Sequence, residues 1–246
     1  PACSKPAEEA SAPPPAPEDS VAETDLVLPA VWSTRDLGSP VASVAVAGAL
    51  GSTIAVAFKD GGVQLINFEG ERMTEKVERG VRRLGDGRYL MMAGVPVTIF
   101  PAINTDGALQ VLFHGGELPE PIALDLDVGI DGAAAGLCTA PPDSDADGVL
   151  RLGFWTEDAP ATLHSGRLVE VEDALVFLAD EPVTAASPIA ACRLGDTGAT
   201  VYAAPARATA SLNRRGRKHV VTLDTSGNFS VVTDGGVPQS LGIKDG

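Results

Sequence analysis

The chain is poor in aromatics, which make up 4% of its 246 residues, and it carries only three histidines. The histidines, His114, His164 and His219, are scattered without metal-like spacing and read as ordinary surface or core residues. Basic residues are scarce beside acidic ones, 18 against 33, for a formal charge of −15. That surplus repels phosphates and excludes broad nucleic-acid binding, while it would hold divalent cations loosely. No run reaches the roughly 18 apolar residues of a membrane-spanning helix, so the folded part is expected to be soluble. No capped amphipathic helix of useful length is present. No nucleophile–base–acid set is readable either. His164 and Ser165 are adjacent, but neighbours on a strand point to opposite faces.

Turn formers and short β-prone runs are what the chain has. Hydrophobic content is 44%, with 27 glycines and 19 prolines. That mixture favours many short strands over long helices. From about residue 30 the pattern has period two, in runs such as "SVAVAG", "TIAVAF", "ALQVLF", "VLRLGFW", "LVEVEDALVFLA", "ATVYAA" and "HVVTLDTSGNFSVVT". Turn signals separate nearly all of them: Asp60-Gly61-Gly62, Asp86-Gly87, Asp106-Gly107, Asp131-Gly132 and Ser226-Gly227-Asn228. A dozen or more strands exceed what a sandwich or barrel usually needs. The expectation is an all-β, propeller-like domain over residues 26–246, with about four to five blades of about 40–50 residues each.

Residues 1–25 form a separate Pro/Ala-rich stretch, beginning "PACSKPAEEASAPPPAPEDS" and reading as a disordered tether. Ala2 before Cys3 fits the end of a bacterial lipoprotein signal, so Cys3 is the candidate lipid anchor. The implied location is the bacterial cell envelope, lipid-anchored and extracytoplasmic, most simply at the outer membrane.

Asp143, Asp145 and Asp147 in "PPDSDADG" begin like a calcium loop. The twelfth position of such a loop requires Glu and is Phe154 here, and the ninth is Arg151. Three carboxylates without a closing ligand fit either a weak calcium site or a solvated acidic turn. Two basic clusters stand out. Arg79, Arg82, Arg83 and Arg88 form the first; Arg214, Arg215, Arg217, Lys218 and His219 form the second. Guanidinium forks suit phosphate or carboxylate recognition, and solvated hairpin tips are the plainer reading. Cys138 and Cys192 fall on matched strands of successive units. A disulfide would form outside the cytoplasm, whereas two buried thiols would be ordinary packing.

Four stretches in order resemble the β-propeller phytases, a six-bladed, calcium-dependent family that hydrolyses phosphate esters. "LPAVW" (28–32) is similar to the opening motif, "GGVQLINFEGER" (61–72) to the first blade's strand and turn. "AGLCTAPP" (135–142) resembles the Gly-Leu-Cys strand, and "AACRLGDTGATVYAA" (190–204) the Glu-Gly-Cys strand pair. The resemblance covers about residues 25–204 and implies the scaffold. It places the first arginine cluster where the family contacts phosphate. The carboxylates that hold calcium in the family do not match: Val27 and Leu28 replace an Asp pair, Ala190 replaces Glu, and Ala204, Pro205 and Ala206 stand where an acidic cluster belongs. Apolar side chains cannot ligate a hard cation, nor generate a nucleophilic water. The expectation is therefore a non-catalytic binding or scaffold module that holds a partner protein, with a small phosphorylated ligand as a further option. The alternative is a calcium-dependent phosphoesterase whose ligands lie elsewhere, at Asp125, Asp127 and Asp131 in "DLDVGID".

Overall fold

A computed structural model describes residues 36–47, 53–92, 94–115, 118–140, 150–171, 174–195, 198–203, 206–214, 217–233 and 239–240, with the backbone alone for 207–214 and 217–218. The tether over 1–25, Cys3, the "LPAVW" segment and the Asp143, Asp145 and Asp147 loop lie outside the described residues. A compact unit runs from Asp36 to Gly246.

Among the described residues, five antiparallel sheets follow one another along the chain. The first is β1 (Val41–Ala47), β2 (Thr53–Phe58), β3 (Gly62–Asn67) and β4 (Val77–Glu78), paired in that order. The second contains β5 (Val81–Leu84), β6 (Arg88–Met92), β7 (Val95–Asn104), β8 (Leu109–Gly115) and β9 (Ile122–Asp125). Its order is β5-β7-β8-β9, with β6 also on β7. The third is β10 (Ala134–Thr139), β11 (Leu150–Thr156), β12 (Thr162–Val171) and β13 (Ala174–Ala179), with β14 (Val183–Thr184) on β12. The fourth has two strands, β15 (Ile189–Leu194) and β16 (Ala199–Ala203). The fifth is β17 (Ala206–Arg214), β18 (Arg217–Asp224), β19 (Phe229–Thr233) and β20 (Gln239–Ser240). Sequential meanders repeated in this way are blades, and the architecture is of the β-propeller type.

A shared device starts every blade. In β1, β5, β10, β15 and β17 the second residue is an extra one that opposes no single partner: Ala42, Arg82, Ala135, Ala190 and Arg207. A bulge at this place bends and twists the strand, which suits a sheet leaving the middle of the molecule.

Blades are also joined by backbone. The turn after β2 needs Gly61 at φ 85° and the turn after β7 needs Gly107 at φ 85°. Their carbonyls accept from Val81 N (3.1 Å) and Ala134 N (2.8 Å), the first residues of the next blades. Pro160 O accepts from Ile189 N (2.6 Å) in the same way.

Side chains fill the spaces between sheets. Small residues of the first blade, Ala45, Ala47, Ala55 and Ala57, receive Phe100 and Leu112 of the second. Ile103 and Leu109 meet Leu152 and Phe154 between the second and third. Trp155 and Leu163 meet Ile189, Cys192 and Leu194 between the third and fourth. Pro101 breaks the usual rule against proline inside a sheet. Its carbonyl accepts from Gly85 N (2.8 Å), so its missing N–H faces the gap where β5 pairing ends and β6 pairing begins.

Candidate functional surface

The first arginine cluster divides. Arg79 Nε donates to Pro121 O (2.9 Å) and its Nη2 to Glu120 Oε1 (2.9 Å), so it anchors the connection between β8 and β9. Arg82 Nη2 donates to Ala134 O and lies 3.9 Å from Glu157 Oε1. Arg88 is buried at the start of β6. Arg83, beside Arg82 on β5, is half-buried, and its Cζ stands 5.9 Å from the centre of the Trp155 ring. Among the described residues no acceptor meets the Arg83 guanidinium. Burial first, and the Arg82 charge second, pull its pKa below the ordinary guanidinium value. It stays protonated in water all the same.

Trp155 holds this position because Gly136 leaves room. A Cβ on Gly136 would overlap the indole. The ring is buried among Leu163, Ile189 and Leu194. On the same interface the sulfurs of Cys138 and Cys192 are bonded, with Cα atoms 5.7 Å apart. The cystine ties β10 of the third blade to β15 of the fourth.

The remaining candidates fall in separate places. Asp125 Oδ1 accepts from Gln110 Nε2 (2.9 Å), Asp127 Oδ1 accepts from Gly129 N (2.9 Å), and Asp131 is exposed. Among the described residues no three His, Cys, Asp or Glu side chains gather as a metal set. Ser165 Oγ donates to Asp180 Oδ2 (3.4 Å), which also accepts from Arg151 Nη2 (3.0 Å). His164 turns the other way and stacks on Phe154, ring centres 5.5 Å apart. Burial holds the pKa of His164, and of His114, below the ordinary imidazole value. His219 Nδ1 pairs with Thr233 Oγ1 (2.9 Å). Of the second basic cluster only the His219 side chain lies within the described residues.

One surface was not singled out from the sequence. The β6–β7 hairpin turns Leu90, Met92 and Val97 into the core. The opposite face shows Tyr89 (57% exposed) and Met91 (61%) to solvent. The alternation in "RYLMM" carried that signal, but the prolines at 96 and 101 hid the partner strand.

No protein-family model matches the chain, and no curated protein matches it. Solved structures do. The fucose-specific lectin from Aleuria aurantia is 11% identical, with a TM-score of 0.53, over 84% of this chain and 79% of that one. AofleA from Arthrobotrys oligospora is 12% identical, with a TM-score of 0.54, over 82% of this chain and 71% of that one. The WD40 domain of SCAP from fission yeast is a looser match, 12% identical with a TM-score of 0.42, over 84% of this chain. The chain spans 43% of that domain's chain and 57% of the chain it matches in the complex of the fission-yeast SREBP-SCAP binding domains. The lectin matches define the class: the chain has a β-propeller fold.

Proposed function

We propose that this chain is a recognition propeller, a non-catalytic module with a phytase-like scaffold that holds a partner protein at a bacterial cell envelope, anchored through a lipidated Cys3. The observation that carries recognition is the Tyr89 and Met91 face, two large apolar side chains side by side on a hairpin whose other face is locked into the core. Exposed aromatic and Met side chains on a rigid element are the chemistry of interface anchors. The lectin matches support a binding role through fold alone; fucose belongs to those proteins. Replacing Tyr89 and Met91 together by Ser tests the reading. A partner recovered by cross-linking from the native envelope is expected to be lost by the double variant, with thermal unfolding unchanged. An identical cross-linking pattern in a folded double variant would contradict it. Mass spectrometry of native, membrane-extracted protein tests the anchor, which an unmodified Cys3 would contradict.

A second reading is favoured by Arg83. A half-buried guanidinium with no described acceptor is suited to an anion, and a phosphorylated ligand there fits the phytase-like phosphoesterase alternative.

A further inference from the structure

The fourth blade stops early. Among the described residues its sheet has two strands, β15 and β16, whereas the other four sheets have four or five. Gly195 N donates to Gly198 O (2.7 Å), so the hydrogen-bonded pairs that follow are Arg193 with Thr200 and Ala191 with Tyr202. Ala199 and Val201 alternate with them and turn their N–H and C=O groups away from β15. No described strand pairs with that edge. The usual guards of an edge are missing too, since "ATVYA" holds neither proline nor charge.

The neighbouring blade is uncovered at the same level. A Cβ on Gly153 of β11 would stand 3.2 Å from Leu194 Cδ2, so this face of the third sheet looks toward the fourth. Gly153 pairs with Ser165, and alternation puts Val169 and Val171 of β12 and Val176 and Leu178 of β13 on the same face. Val171, Val176 and Leu178 are exposed. Strand β16 covers only the inner part of this face, where Ala199 and Val201 join the cluster of Trp155 and Leu163. A third strand beside β16 would carry that cover outward over the apolar patch.

The other face of β16 sets the charge. Arg193 stands opposite Thr200 there, its Nε buried without a hydrogen-bond partner. Among the described residues no carboxylate meets its guanidinium. A strand added to β16 lies about 10 Å from β15, two strand spacings. That is within joint reach of the guanidinium and an acidic side chain opposite Thr200. A second copy does not supply this group: β16 paired with itself brings no acid, and each copy carries a formal charge of −15.

We propose that the β16 edge takes up an extended segment of a partner protein, antiparallel to β16, as the third strand of the fourth blade. Alternate residues of the segment are apolar and face Val176 and Leu178. The residue opposite Thr200 is acidic and pairs with Arg193. This edge lies in a different sheet from the Tyr89 and Met91 face and does not depend on it.

The probe is acetyl-Ser-Val-Thr-Val-Glu-Val-Ser-amide, added to the full chain while amide hydrogen exchange is followed by NMR. In antiparallel register its central valine opposes Val201 and its glutamate opposes Thr200. The expected result is saturable protection of the Ala199 and Val201 amides. N-methylation of the central valine removes a donor to β16 and should weaken binding on the order of tenfold or more. N-methylation of the glutamate, whose N–H points away, should change binding little. A glutamine peptide should bind the parent more weakly than the glutamate peptide, while Arg193→Gln should not distinguish the two. Val176→Ser with Leu178→Ser, both at exposed positions, should weaken binding with thermal unfolding retained. Absence of protection at the two amides would overturn the proposal. So would equal losses from the two N-methyl groups, equal affinity of the glutamate and glutamine peptides for the parent, or unchanged affinity in the serine variant. Protection already present in the free chain would assign the edge to the chain's own residues, and protection that grows with chain concentration to a second copy; either result overturns it.

Discussion

Strands β11 and β13 belong to one blade and are both apolar, "LRLGFWT" and "ALVFLA", yet they stand in opposite environments. Six of the seven residues of β11 are buried, whereas β13 has no buried residue and leaves Val176 and Leu178 36% and 45% exposed. Composition does not separate them; position in the sheet does, with β11 paired on both sides by β10 and β12 and β13 at the edge. A second strand is sandwiched between neighbouring blades and must present fitted side chains on both faces. A fourth strand meets a neighbour on one face at most. In the first three blades burial is concentrated in β2, β7 and β11, and the outer strands and hairpins are free to carry recognition.

The sharpest way to break this contrast is a pair of truncations. Phe154→Ala is expected to lower the unfolding free energy by about 3–5 kcal/mol, and Leu178→Ala by no more than about 0.5 kcal/mol. Similar losses in chemical denaturation would erase the distinction between inner and outer strands. Next in size is the cystine. Cys138→Ala with Cys192→Ala removes a link between residues 54 apart in sequence and is expected to lose about 2–4 kcal/mol. An unshifted denaturation midpoint, compared without reductant, would show that the interface of the third and fourth blades stands without it. Gly136→Ala probes the same interface from the packing side. It is expected to displace the Trp155 indole at a loss of about 1–3 kcal/mol, visible as a shifted tryptophan emission. Unchanged emission and stability would mean the ring is not wedged.

The smallest effect is in pH. Burial holds the His164 pKa below 6.5, so between the two values the unfolded chain binds the extra proton. Its contribution is complete above pH 6.5 and falls as pH drops through that value toward the folded pKa. Urea midpoints at neutral and mildly acidic pH should separate less in His164→Phe than in the parent. An equal separation in the two proteins would exclude His164 as a source.

Much of the fold was legible because β propensity and turn chemistry agree locally. "HVVTLD" and "FSVVT" around Ser226-Gly227-Asn228 became β18 and β19, with Asp224 Oδ1 accepting from Ser226 N and Asn228 N. Residues 135–139, 190–194 and 199–203 of the stretches that carried the resemblance fall in β10, β15 and β16. The bulges were not legible. Ala and Arg occupy the extra position in all five strands, and neither residue type marks a bulge. Strand β7 was hidden by Pro96 and Pro101, whose tolerance depends on which edge of the strand lacks a partner, a tertiary property.

The site was less legible than the fold. Four arginines within ten residues read as one cluster, suited to an anion or, more plainly, solvated at hairpin tips, but side-chain direction sends Arg79 to Glu120 and Arg83 to Trp155. The Trp155 and Gly136 fit depends on two strands whose pairing the sequence does not state. Asp125 and Asp127 were weighed as metal ligands; the fold engages one oxygen of each instead, with Gln110 Nε2 and with Gly129 N, and neither partner is marked by the sequence pattern.

Phosphate release from phytate and from a chromogenic monoester is the most direct test of recognition against catalysis. The full chain would be assayed with calcium and with chelator at matched protein concentration, its folding checked by circular dichroism. A recognition propeller releases no phosphate above the protein-free blank in either condition. Calcium-dependent release that the chelator abolishes would contradict that role and establish the phosphoesterase.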